Sequence, residues 1–176
     1  MTEMERMEGR DSGLSVVLLL GSNDAAAADI IERAVRIIEL TVGRVVRRSQ
    51  EYRSEAYGFH AEREFVNYAV ELCVAAECSA YEVLRRINLI EALLGRDREE
   101  EARIRAERGE RYASRPIDID IVFYGDESFD DERLTIPYHY LDEREYALRP
   151  VAEIAAERRH PALAATPAQM LRVFDK

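Results

Sequence analysis

Cysteines and long apolar runs are scarce in this chain, and positive charges are outnumbered by negative ones. Its two cysteines, Cys73 and Cys78, lack the companions of a zinc site and are expected to be reduced rather than joined. The formal net charge of -10 argues against a general nucleic-acid binder, because such proteins neutralise phosphates with a basic face. No apolar run is long enough to span a bilayer, so we expect no membrane partner. An anionic nucleotide would need a local cationic pocket.

Length and composition favour a single globular domain. A chain of 176 residues can bury a real core but is short for two ordinary domains. Hydrophobic residues at 47% and charged residues at 34% are typical of soluble globular proteins. We expect a loose leader over residues 1–13 and one domain over residues 14–176. The leader is too acidic for a signal peptide, so a cytoplasmic protein is expected. We also expect it to be a monomer.

Hydrophobic periodicity predicts alternating strands and helices. The second helix begins at a Ser79-x-x-Glu82 capping box, and Val46 and Tyr52 are expected to point inward from the second strand. This element order is that of a split βαβ unit, so we predict an α+β fold with a ferredoxin-like antiparallel sheet and packed helices. The predicted strands are 14–20, 44–53, 65–74 and 117–124, and the predicted helices are 29–42 and 79–94.

Residues 97–111 are rich in Glu and Arg and nearly free of apolar side chains. Such a segment cannot bury a core face, so we predict a long mobile loop. The pairs Glu99/Arg103 and Glu101/Arg105 could support one or two helical turns. The segment is either a solvated excursion or a lid that nucleotide orders.

The predicted strand at 117–124 is the stretch most informative about function. Its three isoleucines point to one face, while Asp118 and Asp120 share the other. Two residues along a strand span roughly 6.5–7 Å, so the two carboxylates could hold cations between them. Magnesium suits such a pair, since it is commonly held by one or two carboxylates plus substrate phosphates. Arginines and a tyrosine within residues 111–115 add the features of a phosphate-handling site, although a bare Asp-x-Asp can also be a solvated strand face.

This stretch resembles a known family. Arg111-x-Ala113-Ser114-Arg115-x-x-Asp118-Ile119-Asp120 follows the motif of the 6-hydroxymethyl-7,8-dihydropterin pyrophosphokinases, folate-pathway enzymes that move pyrophosphate from ATP to a pterin alcohol. Further matches are Gly21-Ser22-Asn23 after the first strand, Phe65-x-Asn67, and Glu91-x-x-x-Gly95-Arg96. The matched motifs extend from Gly21 to Pro150.

The resemblance implies a set of site residues. Arg96, Arg115, Asp118 and Asp120 would be catalytic, and the two aspartates would bind two Mg²⁺ ions, with ATP as co-substrate. The implied nucleotide-binding residues are Glu91, Arg96, Arg98, Tyr112, Arg115, Arg133, Thr135, Tyr138, His139 and Arg144. The implied pterin-binding residues are Ser54, Tyr57, Gly58, Phe65, Asn67, Tyr112 and Tyr146.

The chain departs from the family pattern at several positions. Tyr138 occupies the usual histidine position, with His139 one residue later, and Tyr146 replaces a phenylalanine. Ala56 stands where a proline is usual, which would leave that loop less rigid. Residues 97–111 are longer than in the family.

The function predicted from these motifs is Mg-dependent transfer of pyrophosphate from ATP to 6-hydroxymethyl-7,8-dihydropterin, giving AMP and the pterin pyrophosphate. Two alternatives remain open. One is another metal-dependent phosphotransferase, nuclease or nucleotidyl transferase built on the same acidic pair. The other is a ferredoxin-like nucleotide- or pterin-binding module without catalysis. Product identity distinguishes the three hypotheses.

Overall fold

A five-stranded antiparallel sheet lies at the centre of the computed structural model, which describes residues 13–175. The predicted leader therefore lies outside the described residues, apart from Gly13. The strands are β1 (Leu14–Ser22), β2 (Arg44–Arg48), β3 (Tyr52–Ser54), β4 (Phe65–Val74) and β5 (Asp118–Tyr124). Their order is β2-β4-β1-β5, and β3 also pairs with β4. A separate two-stranded sheet joins β6 (Phe129–Asp130) to β7 (Thr135–Ile136).

Helices cover both faces of the central sheet. Ser79 caps the second helix by accepting a hydrogen bond from the Glu82 N–H, as the capping box predicts. Within residues 13–175, no helix is long and apolar enough to cross a membrane. The helices are α1 (Ala27–Thr41), α2 (Ala80–Leu93), α3 (Arg98–Arg108), α4 (Glu145–Ala155) and α5 (Pro167–Leu171).

Strand β1 contributes to two cores. Leu18 and Leu20 join the core under α1 and α2, whereas Val17 and Leu19 join the core under α4 and α5. Alternate side chains of a strand point to opposite faces, so a strand covered on both faces must be apolar at every position. This double burial accounts for the unbroken apolar run in the sequence, and the predicted α+β, ferredoxin-like fold is confirmed.

The predicted strand at 44–53 was wrong in detail. The structure divides it into β2 and β3, both paired with β4. The register shifts between Val45 and Arg47, and a bulge of this kind redirects side chains. Val46 is consequently 46% exposed rather than inward.

The charged segment at 97–111 is more regular than the mobile loop that was predicted. It contains an eleven-residue helix, α3, whose first N–H groups are capped by the Asp97 carboxylate. The observed ion pairs differ from those predicted from spacing. Arg103 pairs with Glu100, and Glu101 turns inward to pair with Arg96.

Candidate active site

Strand register places residues distant in sequence side by side at one end of the sheet. Tyr52 pairs with Asn67, Asn67 with Gly21, and Gly21 with Asp118. Gly21 has no side chain in the middle of this row, and a Cβ there would lie 3.2 Å from the Asn67 Oδ1. The row therefore forms a low floor, with a carboxamide on one side and a carboxylate on the other.

Above this floor lies a hollow of about 570 Å³, a volume that includes its open mouth. Its walls are mainly aromatic. Phe59 meets Phe65 edge-on at 6.1 Å between ring centroids, and Tyr57 meets Tyr146 at 6.2 Å. The implied pterin-binding residues that line it are Ser54, Tyr57, Phe65, Asn67, Tyr112 and Tyr146.

Gly58 contributes to the hollow indirectly. It does not line the space, but its backbone has a positive φ of 77°, and a Cβ there would lie 3.1 Å from the Tyr112 ring. A side chain at this position would both strain the backbone and crowd that ring.

The Asn67 carboxamide is fixed in orientation. Its Nδ2 donates to the Tyr52 carbonyl at 3.2 Å and to the Ser54 hydroxyl at 3.0 Å. With both N–H groups used, the oxygen is the part of the carboxamide left to accept from a ligand.

Arg96 is surrounded by carboxylates beside this hollow. Its Nη1 donates to Glu91 and to Asp118, both at 2.6 Å, and its Nε donates to Glu101 at 2.9 Å. Burial lowers the pKa of the Arg96 guanidinium, but the three negative charges outweigh that effect and raise it overall. Arg115 donates to the other Asp118 oxygen at 3.1 Å.

Glu91 is the buried carboxylate of this cluster and accepts hydrogen bonds from three donors. Its side chain is 2% exposed. One oxygen accepts from Arg96 and from the Ile119 N–H at 2.7 Å, and the other accepts from Arg98. Glu91 thereby ties the end of α2 to strand β5.

Asp118 and Asp120 share one face of β5, as predicted, while the intervening Ile119 is buried on the other. The Asp120 carboxylate has no hydrogen-bond donor among residues 13–175. Burial raises the pKa of Asp120 to about 8, and the charges of Asp118 and Glu91 act in the same direction. A divalent cation would relieve this repulsion.

The pair has the oxygen chemistry that Mg²⁺ prefers. Across the described residues, no cluster of three or more His, Cys, Asp or Glu side chains could hold a metal by itself. Remaining ligands would thus have to come from substrate and water, which is how Mg²⁺ is commonly bound at phosphate sites.

A second hollow of about 1050 Å³ adjoins the first and shares Asp118 and Asp120 with it. Its apolar lining residues include Leu84, Ile121 and Leu134. All implied nucleotide-binding residues line this space: Glu91, Arg96, Arg98, Tyr112, Arg115, Arg133, Thr135, Tyr138, His139 and Arg144.

Comparison with known sequences decides the family. A family model described as 7,8-dihydro-6-hydroxymethylpterin-pyrophosphokinase (HPPK) matches residues 17–156. The chain belongs to the HPPK family. The family and the enzyme class predicted from the motifs are thereby confirmed, with ATP as co-substrate.

Relatives and solved structures agree with this assignment. The 2-amino-4-hydroxy-6-hydroxymethyldihydropteridine pyrophosphokinase of Methylorubrum extorquens is 37% identical over 139 residues, covering 78% of this chain and 80% of that one. The protein of the same name from Synechocystis is 32% identical over 160 residues, covering 90% of this chain and 75% of that one. The structure of Plasmodium falciparum HPPK-DHPS gives a TM-score of 0.69 at 15% identity, a likeness of fold. It is matched over 93% of this chain, which spans 45% of that longer chain.

Some HPPK site residues were not found from the sequence. Leu19, Glu55 and Phe59 line the first hollow without belonging to any quoted motif. Glu101 belongs to a segment predicted to be solvated, yet its side chain is 12% exposed because it pairs with Arg96. No local signal distinguishes Glu101 from Glu99 or Glu100, since all three lie in one acidic run.

Proposed function

We propose that the protein catalyses Mg²⁺-dependent transfer of pyrophosphate from ATP to 6-hydroxymethyl-7,8-dihydropterin, a step of folate biosynthesis, with two Mg²⁺ ions held by Asp118 and Asp120. The observation that carries the proposal is the meeting of two hollows at these aspartates. One hollow is lined with aromatic rings, as a pterin requires, and the other is larger and lined with arginines, as a triphosphate requires.

The pterin would lie in the first hollow. Phe65, Tyr112 and Tyr146 offer ring faces for a flat heterocycle. Asn67 is only 2% exposed, and its fixed side-chain oxygen would accept a hydrogen bond from a pterin N–H. A ligand without such a donor would leave this oxygen unpaired, so the site favours a heterocycle with an amide-like edge.

The nucleotide would lie in the second hollow. The apolar side chains of Leu84, Ile121 and Leu134 would contact the base, and Arg96 and Arg115 would contact the phosphates. Both arginines already contact Asp118. The substrate phosphates would share these guanidiniums with the carboxylates that now hold them.

The transfer needs no nucleophile from the protein. The pterin hydroxyl oxygen attacks the β-phosphorus of ATP, the bond from that phosphorus to the α–β bridging oxygen breaks, and AMP leaves with the bridging oxygen as the hydroxyl proton is released. When bound, Mg²⁺ would neutralise charge that develops on the phosphates. The chain's own part is to hold the two substrates in line and to place guanidiniums beside the transferring group.

The test is to incubate the protein with Mg²⁺, ATP and the reduced pterin alcohol and to resolve the phosphorus-containing products. We expect AMP and the pterin pyrophosphate in equal amounts, with none when EDTA is added or the pterin is omitted. ADP or cleaved nucleic acid would indicate a different phosphotransferase, and binding of both substrates without turnover would indicate a non-catalytic module. A monomeric, cytoplasmic protein remains the prediction from the sequence, and sedimentation measures the first property.

A further inference from the structure

Arg144 is held by phenol hydroxyls. Its Nη1 donates to the Tyr138 hydroxyl at 2.8 Å and to the Tyr146 hydroxyl at 2.9 Å, and its Nη2 donates to the Tyr112 hydroxyl at 3.0 Å. The rings of Tyr140 and Tyr57 lie 4.0 and 4.8 Å from the guanidinium carbon. Five tyrosines therefore surround one arginine, which is 7% exposed.

This environment leaves the charge of Arg144 uncompensated. Within residues 13–175 no carboxylate pairs with it, whereas Arg96 has three. Burial raises the pKa of Tyr138 and of Tyr146, so both phenols are neutral at physiological pH. The Arg144 Nε is buried and has no hydrogen-bond partner in the part of the chain that the structure describes. A buried guanidinium with an unused donor and no counterion is costly unless an anion arrives.

The arginine lies where the two hollows meet. Arg144, Tyr138 and Tyr112 line both of them. Tyr146 lines the first hollow only, so its ring belongs to the proposed pterin site while its hydroxyl holds an arginine of the proposed nucleotide site.

Two of these tyrosines share one nitrogen of Arg144. Tyr138 and Tyr146 lie eight positions apart in the chain. The structure brings their hydroxyls within 3.4 Å of each other and onto the same Arg144 nitrogen. A phenylalanine at either position would lack the hydroxyl that accepts from Arg144, so the two tyrosines form one structural unit.

We propose that the hydroxyls of Tyr138 and Tyr146 act together as positioning groups for Arg144, fixing its guanidinium at the junction of the two hollows to receive the anionic phosphate chain. The inference rests on the proposed function, because the phosphate chain is that of ATP. Tyr146 thereby serves both substrates, the pterin through its ring and the nucleotide through its hydroxyl.

The variants Tyr138→Phe and Tyr146→Phe remove one hydroxyl each and keep the ring. Hydrogen bonds to charged groups are strong enough that we expect kcat/KM for ATP to fall by about tenfold in each. The double variant should lose clearly less than the product of the single losses, since both hydroxyls serve one nitrogen. The dissociation constant of the pterin, measured by calorimetry without nucleotide, should stay within about twofold of the wild-type value.

Tyr68→Phe is the matched control. Its hydroxyl also bonds a charged side chain, Glu51 at 3.0 Å, and Tyr68 lines neither hollow. It should retain wild-type kinetics, and the unfolding midpoints of all variants identify any that are misfolded. Binding of Mg²⁺ with a non-hydrolysable ATP analogue gives a second readout that does not need turnover, and it should weaken in the Tyr138→Phe and Tyr146→Phe variants only.

Several results would overturn the inference. Unchanged ATP kinetics and analogue binding in folded Tyr138→Phe and Tyr146→Phe would show that the hydroxyls do not position Arg144. Strictly multiplicative losses would show two independent roles, and a loss confined to pterin affinity would assign the Tyr146 hydroxyl to the pterin. Failure of the proposed function is recognised separately, because then the wild-type protein itself yields no AMP.

Discussion

Truncation of Glu91 should be the most damaging single change to the polar part of the site. The side chain is 2% exposed and joins three elements, through Arg96, Arg98 and the Ile119 N–H. Glu91→Ala removes the acceptor from all three donors. It leaves the Ile119 N–H buried without a partner, and it leaves Arg96, itself 6% exposed, with two carboxylates in place of three.

The size of the effect follows from these losses. An unsatisfied buried N–H costs about 1–3 kcal/mol. Breaking a buried ion pair costs about 3–5 kcal/mol when one charge is left alone, and less here because Glu101 and Asp118 still contact Arg96. We expect the free energy of unfolding to fall by about 3–5 kcal/mol in total. For a chain of this length that lowers Tm by about 6–20 °C.

Urea unfolding of wild type and variant measures the change as a shift in midpoint at constant slope. Glu100→Ala is the control, since Glu100 also pairs with an arginine, Arg103, but is 44% exposed. Exposed pairs contribute only about 0–1 kcal/mol, so this variant should unfold almost as the wild type does. Equal effects of the two substitutions, or a loss below about 1 kcal/mol for Glu91→Ala, would refute the role given to buried ion pairing.

Three further predictions concern turnover, nucleotide affinity and pH. Asp118→Asn and Asp120→Asn should each lower kcat by about a hundredfold or more in a protein that still folds, because both carboxylates face away from the core under α1 and α2; full activity in either would remove it as a metal ligand. Tyr138→His should change the Kd for ATP by less than about tenfold, and no change at all would argue that this segment does not meet the nucleotide. Burial lowers the pKa of His160 below its usual 6.5, so the unfolded chain binds more protons and stability should be lost as pH falls through 6.5. Urea titrations between pH 8 and 5 should show a weaker decline in His160→Asn, and identical slopes would contradict this account.

Local patterns were sufficient to predict most elements but not their irregularities. The alternation in 117–124 correctly placed the isoleucines on the core side and the aspartates on the other face of β5. The same rule failed at Val46, because a bulge depends on the partner strand and leaves no signature in the strand itself. Helix α4 was not predicted at all, since Pro150 lies inside it and proline usually marks the end of a helix.

The charged segment shows the limit most clearly. Its composition indicated that no core face could form. In agreement, the one buried residue of α3 is a glutamate, Glu101. What composition could not show is that a carboxylate on this helix would complete the shell around Arg96. Such pairing depends on where the helix lies in space, and spacing along the chain contains no such information.

The sequence by itself determined which chemical groups this protein can use: two carboxylates on one strand face, arginines beside them, and an aromatic and a carboxamide for a heterocycle. Side-chain direction along a strand follows from its two-residue period, and a motif consists of neighbouring residues, so both can be read from the sequence. Only the tertiary structure decided that Asn67, Gly21 and Asp118 form one row, and that the hydroxyls of Tyr138 and Tyr146 converge on Arg144. Those arrangements arise from strand register and helix packing between segments far apart in the chain, which local residue patterns do not specify.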